Sequence, residues 1–327
     1  MIFQERELKM SDSFPILSPD LQIGFHYRLK NIKDLYFHEA LSKAMSHLPV
    51  KVIDEALNEL VPNSALQKLA SFSIRGEAIF PLPVILRENP FLLGYYRLLL
   101  GFSQKEFYSK GPFGTFKLME EKGKLSKNAS DKLDMLCESL ISSATSFVTQ
   151  IEEINLNTIA ELQLLTVGPQ LRGSMNNEYG IIATQQTFSI IKALLKKYIL
   201  SSTPTSIEIK NDSGRIVTIK FSSDPDIEII EKLSNDRGLV SIEIKGGKDM
   251  SNIHNRIGEA EKSHQKAKQR GYFEFITIIS VEIDYKTLQA ESPTTSHFFH
   301  LEKIFDKKAA EHKKFKELLS SILSVRM

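Results

Sequence analysis

Residues 225–230, Pro225-Asp226-Ile227-Glu228-Ile229-Ile230, and residues 239–245, Leu239-Val240-Ser241-Ile242-Glu243-Ile244-Lys245, decide how this chain is read. Both alternate apolar and polar side chains, the period of two of a strand with one buried face. Between them Asn235-Asp236-Arg237-Gly238 supplies turn residues. The alternation sends Ile242 and Ile244 to one face and Glu243 and Lys245 to the other. By the same rule Asp226 and Glu228 share a face opposite Ile227 and Ile229. Pairing the two strands in one register brings carboxylates beside a lysine.

Two further strands are predicted upstream, over 206–210 and 216–221, joined through Asn211-Asp212-Ser213-Gly214. A long helix is predicted over 176–200, closed by Ser201, Ser202 and Pro204, because proline disfavours helical geometry in the residue before it. Downstream, Ile253, Ile257, Ala260, His264 and Ala267 recur at helical spacing and predict a helix ending at Gly271. A buried strand over 273–283 follows, and 300–327 reads as a basic amphipathic helix. Helix, strands, helix, strand is the order of an α/β fold with a mixed central sheet flanked by helices. Residues 35–155 carry helical spacing, clearest at Leu133, Leu136, Leu140, Ala144, Phe147 and Ile151, with Ser130 as the expected N-cap. Residues 122–127 read as an exposed loop. The pattern changes at Gly168-Pro169, which divides a mainly helical N-terminal region, 1–167, from the α/β domain, 168–327.

Composition narrows the function classes. Of 327 residues, 42 are Lys or Arg and 40 are Asp or Glu, so the net charge of +2 announces no polyanion partner and any basic surface must be local. With 42% apolar and 25% charged residues, the chain has the profile of a soluble globular protein. Cys137 is the only cysteine, which excludes an intramolecular disulfide and a multi-thiolate metal site and suits a reducing, cytoplasmic setting. Amid Leu136 and Leu140 it reads as a small buried hydrophobe. The opening Met1-Ile2-Phe3-Gln4-Glu5-Arg6-Glu7 lacks the basic start and apolar run of a signal peptide. The apolar runs at 91–102 and 181–200 are interrupted by Arg97 and by Lys192, Lys196 and Lys197, so no membrane partner is expected. No G-x-x-x-x-G-K-[ST] stretch is present, which removes the phosphate cradle of a nucleoside triphosphate site.

Asp226, Glu243 and Lys245 together suit phosphodiester hydrolysis. Carboxylate oxygens hold Mg2+, which keeps several waters, binds a phosphate oxygen and offsets charge developing at phosphorus. Lys245 then orients or deprotonates the attacking water, or stabilises the pentavalent phosphorus; neighbouring carboxylates oppose the base role by favouring the ammonium. Gly246-Gly247 would let the backbone approach a substrate. The alternative is a surface hairpin whose charges form a solvated ion pair worth little.

Pro225-Asp226 followed by Glu243-Ile244-Lys245, within helix, strands, helix and strand, resembles the PD-(D/E)XK nuclease core. Phe80-Pro81-Leu82-Pro83, the run 93–108 beginning Leu93-Gly94-Tyr95-Tyr96-Arg97, Gly111-Pro112-Phe113, Gly168-Pro169-Gln170-Leu171-Arg172-Gly173-Ser174 and the run 243–265 resemble the XcyI-type family of type II restriction endonucleases over most of the chain. The resemblance implies an Mg2+-dependent enzyme cutting double-stranded DNA at a short palindrome, CCCGGG in that family, with 5′ overhangs, and 168–327 as its catalytic domain. It implies that Asp226 and Glu243 ligate the metal with the backbone carbonyl of Ile244, that Lys245 is the catalytic lysine, and that Glu178 is a further metal ligand. An acidic residue early in a helix is also explained by the helix dipole.

Lys248, Asp249, Asn252, His254 and Arg256 follow the lysine, where some related enzymes place base readers, and Arg172 is a further candidate DNA contact. Arginine or lysine suits guanine O6 and N7, and an acidic acceptor suits cytosine. Lys245, Lys248, Arg256, Lys262, Lys266, Lys268 and Arg270 outnumber the acidic residues of the same stretch and would set up a local positive field. A palindrome offers two equivalent strands, so a homodimer is expected. His297-Phe298-Phe299-His300 reads as packing or surface rather than zinc, and Tyr95, Tyr96, Phe107 and Tyr108 as core. A structure-selective repair or recombination nuclease and a non-catalytic DNA-binding protein remain as alternatives.

Overall fold

The structure, a computed structural model, describes residues 18–247 and 252–327 and divides into two compact units at Arg172 and Gly173. The first unit is helical. Val50–Leu60 buries Ile53 and Leu57, and Leu133–Gln150 buries Leu133, Leu136, Cys137, Leu140, Ile141, Ala144 and Val148, the stripe that three- and four-residue spacing places on one helix face. Tyr95 and Tyr96 lie fully inside this core, and their hydroxyls donate to the carbonyls of Ala78 and Glu77, each at 2.8 Å. Phe107 is buried beside them in the same core, and burial pushes the Cys137 thiol well above its usual range. Ser130 does not cap the helix. It sits within Lys127–Asp131, a short helix capped by Ser126, and its hydroxyl instead accepts from Arg87 Nη1 at 2.8 Å.

A buried ion pair ties this core together. Arg97 and Glu120 are 2% and 1% exposed, and the guanidinium grips the carboxylate in bidentate fashion, Nε to Oε2 at 2.8 Å and Nη2 to Oε1 at 2.7 Å. Tyr108 Oη donates to Oε2 at 2.6 Å and Gln104 Nε2 to Oε1 at 3.0 Å. Four hydrogen bonds from side chains thus converge on one buried carboxylate, which meets the condition for keeping such a charge out of water.

The long helix runs over Leu156–Leu194, with Pro169 inside it. Gly168-Pro169 is therefore no helix boundary. A proline inside a helix costs about 3 kcal/mol, and burial of Ile159 and Val167 before it and of Met175, Ala183, Phe188 and Ile191 after it outweighs that cost. The helix also stops short of residue 200, because Ile199–Ser202 (β1) pairs with Ser206–Lys210 (β2).

The second unit is built on a seven-stranded sheet in the order β1 to β7, with β3 Ile216–Phe221, β4 Ile227–Glu231, β5 Arg237–Lys245, β6 Glu274–Ile279 and β7 His297–His300. The first five strands pair antiparallel, while β5, β6 and β7 pair parallel. The mixed α/β architecture with a mainly helical N-terminal region is the expected one. On one face, Ile207, Ile219, Ile229, Ile242, Ile244 and Ile278 pack with Phe188 and Ile191 of the long helix and with Phe315 and Leu319 of the helix Ala310–Leu323. On the other lies the helix Ile253–Gln269, hereafter the site helix, which ends before Gly271 at φ +86°, a left-handed conformation that glycine adopts without strain.

Two details depart from the sequence reading. The strand expected over 273–283 closes at Ile279, and a short helix Tyr285–Glu291 follows. The expected single C-terminal helix is split into Leu301–Phe305 and Ala310–Leu323. His297 and His300 belong to β7, where residues three apart point to opposite faces and cannot share a metal ion. No helix among the described residues is long and apolar enough to cross a membrane.

Candidate active site

The register of β4 and β5 positions the charged residues. Ile227 faces Ile242, so one step further along the two strands Asp226 and Glu243 come opposite each other. The antiparallel alternation then puts Asp226, Glu243 and Lys245 together while Ile242 and Ile244 enter the core. Asp226 Oδ2 accepts the backbone N–H of Ile244 at 2.7 Å, which ties the start of β4 to the end of β5. Lys245 Nζ donates to Glu243 Oε2 at 2.7 Å. Glu228 shares the face but not the cluster. It lies opposite Ser241 and binds Tyr272 Oη at 2.5 Å and Lys220 Nζ at 3.0 Å.

Glu243 is 5% exposed, and its other oxygen, Oε1, accepts from Ser263 Oγ of the site helix at 2.5 Å. Ser263 Oγ also lies against Asp224 Oδ1, and its single hydrogen serves one of the two carboxylates at a time. Asp224 takes Lys266 Nζ on Oδ2 at 2.8 Å and Arg270 Nη2 on its backbone carbonyl at 2.7 Å. Burial raises the carboxyls of both Asp226 and Glu243 above the ordinary range, against the pull of the Ile244 N–H on Asp226 and of Lys245 on both. Asp224 is held below its usual range by its bonds to Lys266 and Ser263.

Asp226 and Lys245 edge a cavity of about 800 Å3, while Glu243, bonded to Lys245, lies behind its lining. Asp226, Ile244 and Lys245 line it from the strands, Asn176, Asn177 and Gln185 from the long helix, and Arg256 and Glu259 from the site helix. Gly246 and Gly247 line it too, but for a different reason from the one the sequence suggested. A Cβ on Gly246 would fall 2.3 Å from Ala183 Cβ and 2.9 Å from the Tyr179 carbonyl oxygen, and one on Gly247 would overlap the Arg256 guanidinium. The two glycines admit the long helix and Arg256 against the end of β5.

The other expected site residues are placed less uniformly. Glu178 is exposed on the long helix and does not line the cavity. Arg256 does line it. His254 Nδ1 is paired with Glu291 Oε1 at 2.6 Å, and Asn252 is the exposed residue that precedes the site helix. Arg172 is exposed on the part of the long helix that belongs to the first unit. Lys248 and Asp249 fall outside the described residues. Of the basic stretch, Lys245, Lys266 and Arg270 are committed to Glu243 and Asp224, which leaves a smaller positive field than the count of charges implied.

Sequence reasoning missed Ser263, Asp224 and the histidine next to Ser263. His264 is fully buried, with Nδ1 3.0 Å from Ser241 Oγ of β5 and Nε2 2.9 Å from Thr277 Oγ1 of β6. The ring clamps the site helix to both strands. The signal was available: Ser263 and His264 are polar residues on the stripe that carries Ala260 and Ala267, and a buried polar group is the informative exception. Burial pushes the His264 imidazole down to about 4. The unfolded chain takes up that proton near the ordinary 6.5, so it holds more protons than the fold between the two values and stability falls as pH drops through that window. The loss approaches about 3 kcal/mol at 1.36 kcal/mol per unit. Melting curves recorded from pH 7 to pH 4 should show this acid limb in the wild type and a flatter one in His264→Asn; parallel limbs would count against it.

Comparison with known proteins decides what this arrangement belongs to. The model of the XcyI restriction endonuclease family matches residues 26–326. The chain belongs to the XcyI restriction endonuclease family. Among its relatives, the type II restriction enzyme Cfr9I of Citrobacter freundii is 39% identical over 324 residues, covering 97% of this chain and 98% of the relative. The type II restriction enzyme XcyI of Xanthomonas campestris pv. cyanopsidis is 39% identical over 315 residues, covering 94% and 95%. Membership makes the chain an enzyme, a site-specific deoxyribonuclease of the type II restriction class. The XcyI-family match spans both compact units.

Proposed function

We propose that this enzyme hydrolyses phosphodiester bonds of double-stranded DNA at a short palindrome, CCCGGG with 5′ overhangs, using Mg2+, and that it works as a homodimer with residues 168–327 as the catalytic domain. The observation that carries the reading is the convergence of Asp226, Glu243 and Lys245 at adjoining ends of β4 and β5, with Asp226 and Lys245 on the lining of a cavity of about 800 Å3.

The donor set suits Mg2+. This ion is held through one or two carboxylates together with waters and substrate phosphate rather than by an all-protein cage. Among the described residues no group of three or more His, Cys, Asp and Glu side chains is placed to hold a metal ion, so the proposed set is two carboxylates, Asp226 and Glu243, with the Ile244 carbonyl. Glu178, which the strand register does not bring beside Asp226 as it brings Glu243, is left out of it. When bound, Mg2+ supplies charge neutralisation at the phosphoryl oxygens and a more acidic water.

The remaining work falls to the chain. Asp226 is oriented by the Ile244 N–H, which leaves its carboxylate fixed at the cavity edge. Each carboxylate offers about four lone-pair sites, so Glu243 can ligate while retaining Ser263 and Lys245. The Lys245 ammonium lies where it can stabilise charge on the pentavalent phosphorus or orient the attacking water. Arg256, packed against Gly247 at the end of β5 and lining the same cavity, suits a phosphate or a guanine edge. Incubating the whole protein with plasmid DNA and Mg2+ tests the reading. Discrete fragments whose mapped ends lie in CCCGGG are expected, with binding that weakens steeply as salt rises because neutralised phosphates release counterions. A smear, junction-selective cutting or binding without cleavage would overturn it in favour of the alternatives.

A further inference from the structure

Ser263 occupies an unusual place for a serine in the middle of a helix. Such a hydroxyl ordinarily bonds back to the carbonyl one turn earlier, as Thr187 does to Ala183 and Thr184 to Gly180 in the long helix. Ser263 instead reaches across to the strands and lies between two carboxylates, Glu243 and Asp224. Its one hydrogen serves one of them at a time, and the bond to Glu243 Oε1 joins residues far apart in sequence. The hydroxyl is brought there by rigid supports: His264, the next residue, is clamped between Ser241 and Thr277, and Glu261, two residues earlier, accepts the Ser292 hydroxyl at 2.9 Å and the Thr294 N–H at 3.0 Å. On the other side Asp224 is braced by Lys266 and Arg270 from the same helix.

From this geometry we infer that Ser263 is a positioning residue for Glu243, on a helix that Asp224 holds through Lys266 and Arg270, and that it fixes the carboxylate in the orientation that binds the divalent cation. This inference rests on the reading of Glu243 as a metal ligand. A carboxylate on a strand can turn about its own side-chain torsions. Lys245 grips Oε2 but is itself a long, flexible side chain, so one contact alone leaves Glu243 free to swing with it. The second contact, on Oε1, comes from a short side chain on a clamped helix and removes that freedom. Outer partners of metal-ligating groups act in this way, and losing one costs 10- to 100-fold in metal affinity or activity.

Ser263→Ala removes the hydroxyl without adding bulk and introduces the best helix former, so folding should be preserved. Mn2+ titrated calorimetrically into the whole protein without DNA, beside melting temperature and single-turnover cleavage in Mg2+, gives the readouts. Ser263→Ala should bind Mn2+ about 10- to 100-fold more weakly and slow the cleavage step to a similar degree, with KM for DNA and melting temperature unchanged. Ser263→Thr, which keeps the hydroxyl, should recover most of the affinity. Asp224→Asn, which keeps the backbone bond to Arg270 but weakens the tie to Lys266, should give a smaller loss. Wild-type Mn2+ affinity in Ser263→Ala overturns the inference, as does a loss matched by a fall in melting temperature and left unrepaired by threonine. Failure of the wild-type protein to bind Mn2+, or full binding by Glu243→Gln, overturns the metal reading of Glu243 along with it.

Discussion

Asp226→Asn is expected to slow DNA cleavage by more than about 100-fold, beyond the loss seen when even an outer partner of a metal ligand is removed, without lowering the melting temperature near neutral pH. Asparagine keeps the shape of the side chain and an oxygen that can accept the Ile244 N–H. What it loses is the charge. That charge is a burden to the fold: burial lifts the Asp226 carboxyl above its ordinary range, and the Ile244 and Lys245 contributions do not fully offset it. The folded state therefore holds the Asp226 proton to higher pH than the unfolded chain does. Stability from this group declines as pH rises through its raised value, and the penalty is complete at neutral pH. Removing the charge relieves the fold and disables the site, the trade expected where activity needs a destabilising group. A plasmid cleavage assay and a thermal melt at pH 7 check both halves. Near-normal cutting would remove Asp226 from the mechanism, and a marked drop in melting temperature would reverse the sign given to its charge. Glu243→Gln and Lys245→Ala should also abolish cutting, but each leaves its partner's buried charge without the 2.7 Å ion pair, so neither should share the stability benefit.

Arg97→Met should destabilise the first unit by about 3–5 kcal/mol, the cost of stranding one member of a buried ion pair. Glu120 would be left 1% exposed with Tyr108 and Gln104 as its remaining side-chain donors, and the carbonyl of Phe102, which Arg97 Nη1 also serves, would lose that partner. Replacing the whole pair by apolar side chains of similar volume is often neutral, so Arg97→Met combined with Glu120→Leu should recover part of the loss. Urea denaturation of the single and double variants measures both effects. A single variant as stable as the wild type would show that the pair carries little of the core.

Much of the second unit could be read directly from its residues because strand parity is a local rule. Ile242 and Ile244 on one side, with Glu243 and Lys245 on the other, follow from covalent geometry alone, and Asn235-Asp236 mark the reversal, although Arg237 and Gly238 already pair within β5. Pairing partners are non-local, and there legibility ends. Nothing in the spacing of Asp224 announces that Ser263, Lys266 and Arg270 will converge on it from a helix about 40 residues later in the chain. Arg97 looked like an interruption of an apolar run; only the fold supplies Glu120 across from it. Pro169 misled for the converse reason. Local chemistry favoured a break there, and burial of the flanking residues overrode it.

The pairing of β4 with β5 shifts between Ile229 and Ile230: Ile229 faces Val240 but Ile230 faces Gly238, so Leu239 is an extra residue with no counterpart. Such a bulge takes up one residue without turning the pairs on either side of it. Loss of Leu239 alone would join Gly238 to Val240 and leave Glu243 facing as before, whereas one residue fewer or more between Val240 and Lys245 would turn the later side chains to the opposite face. Descendants of this gene can therefore change length at 232–236 or at Leu239 with little penalty, while the stretch that carries the charges is closed to single-residue insertions and deletions.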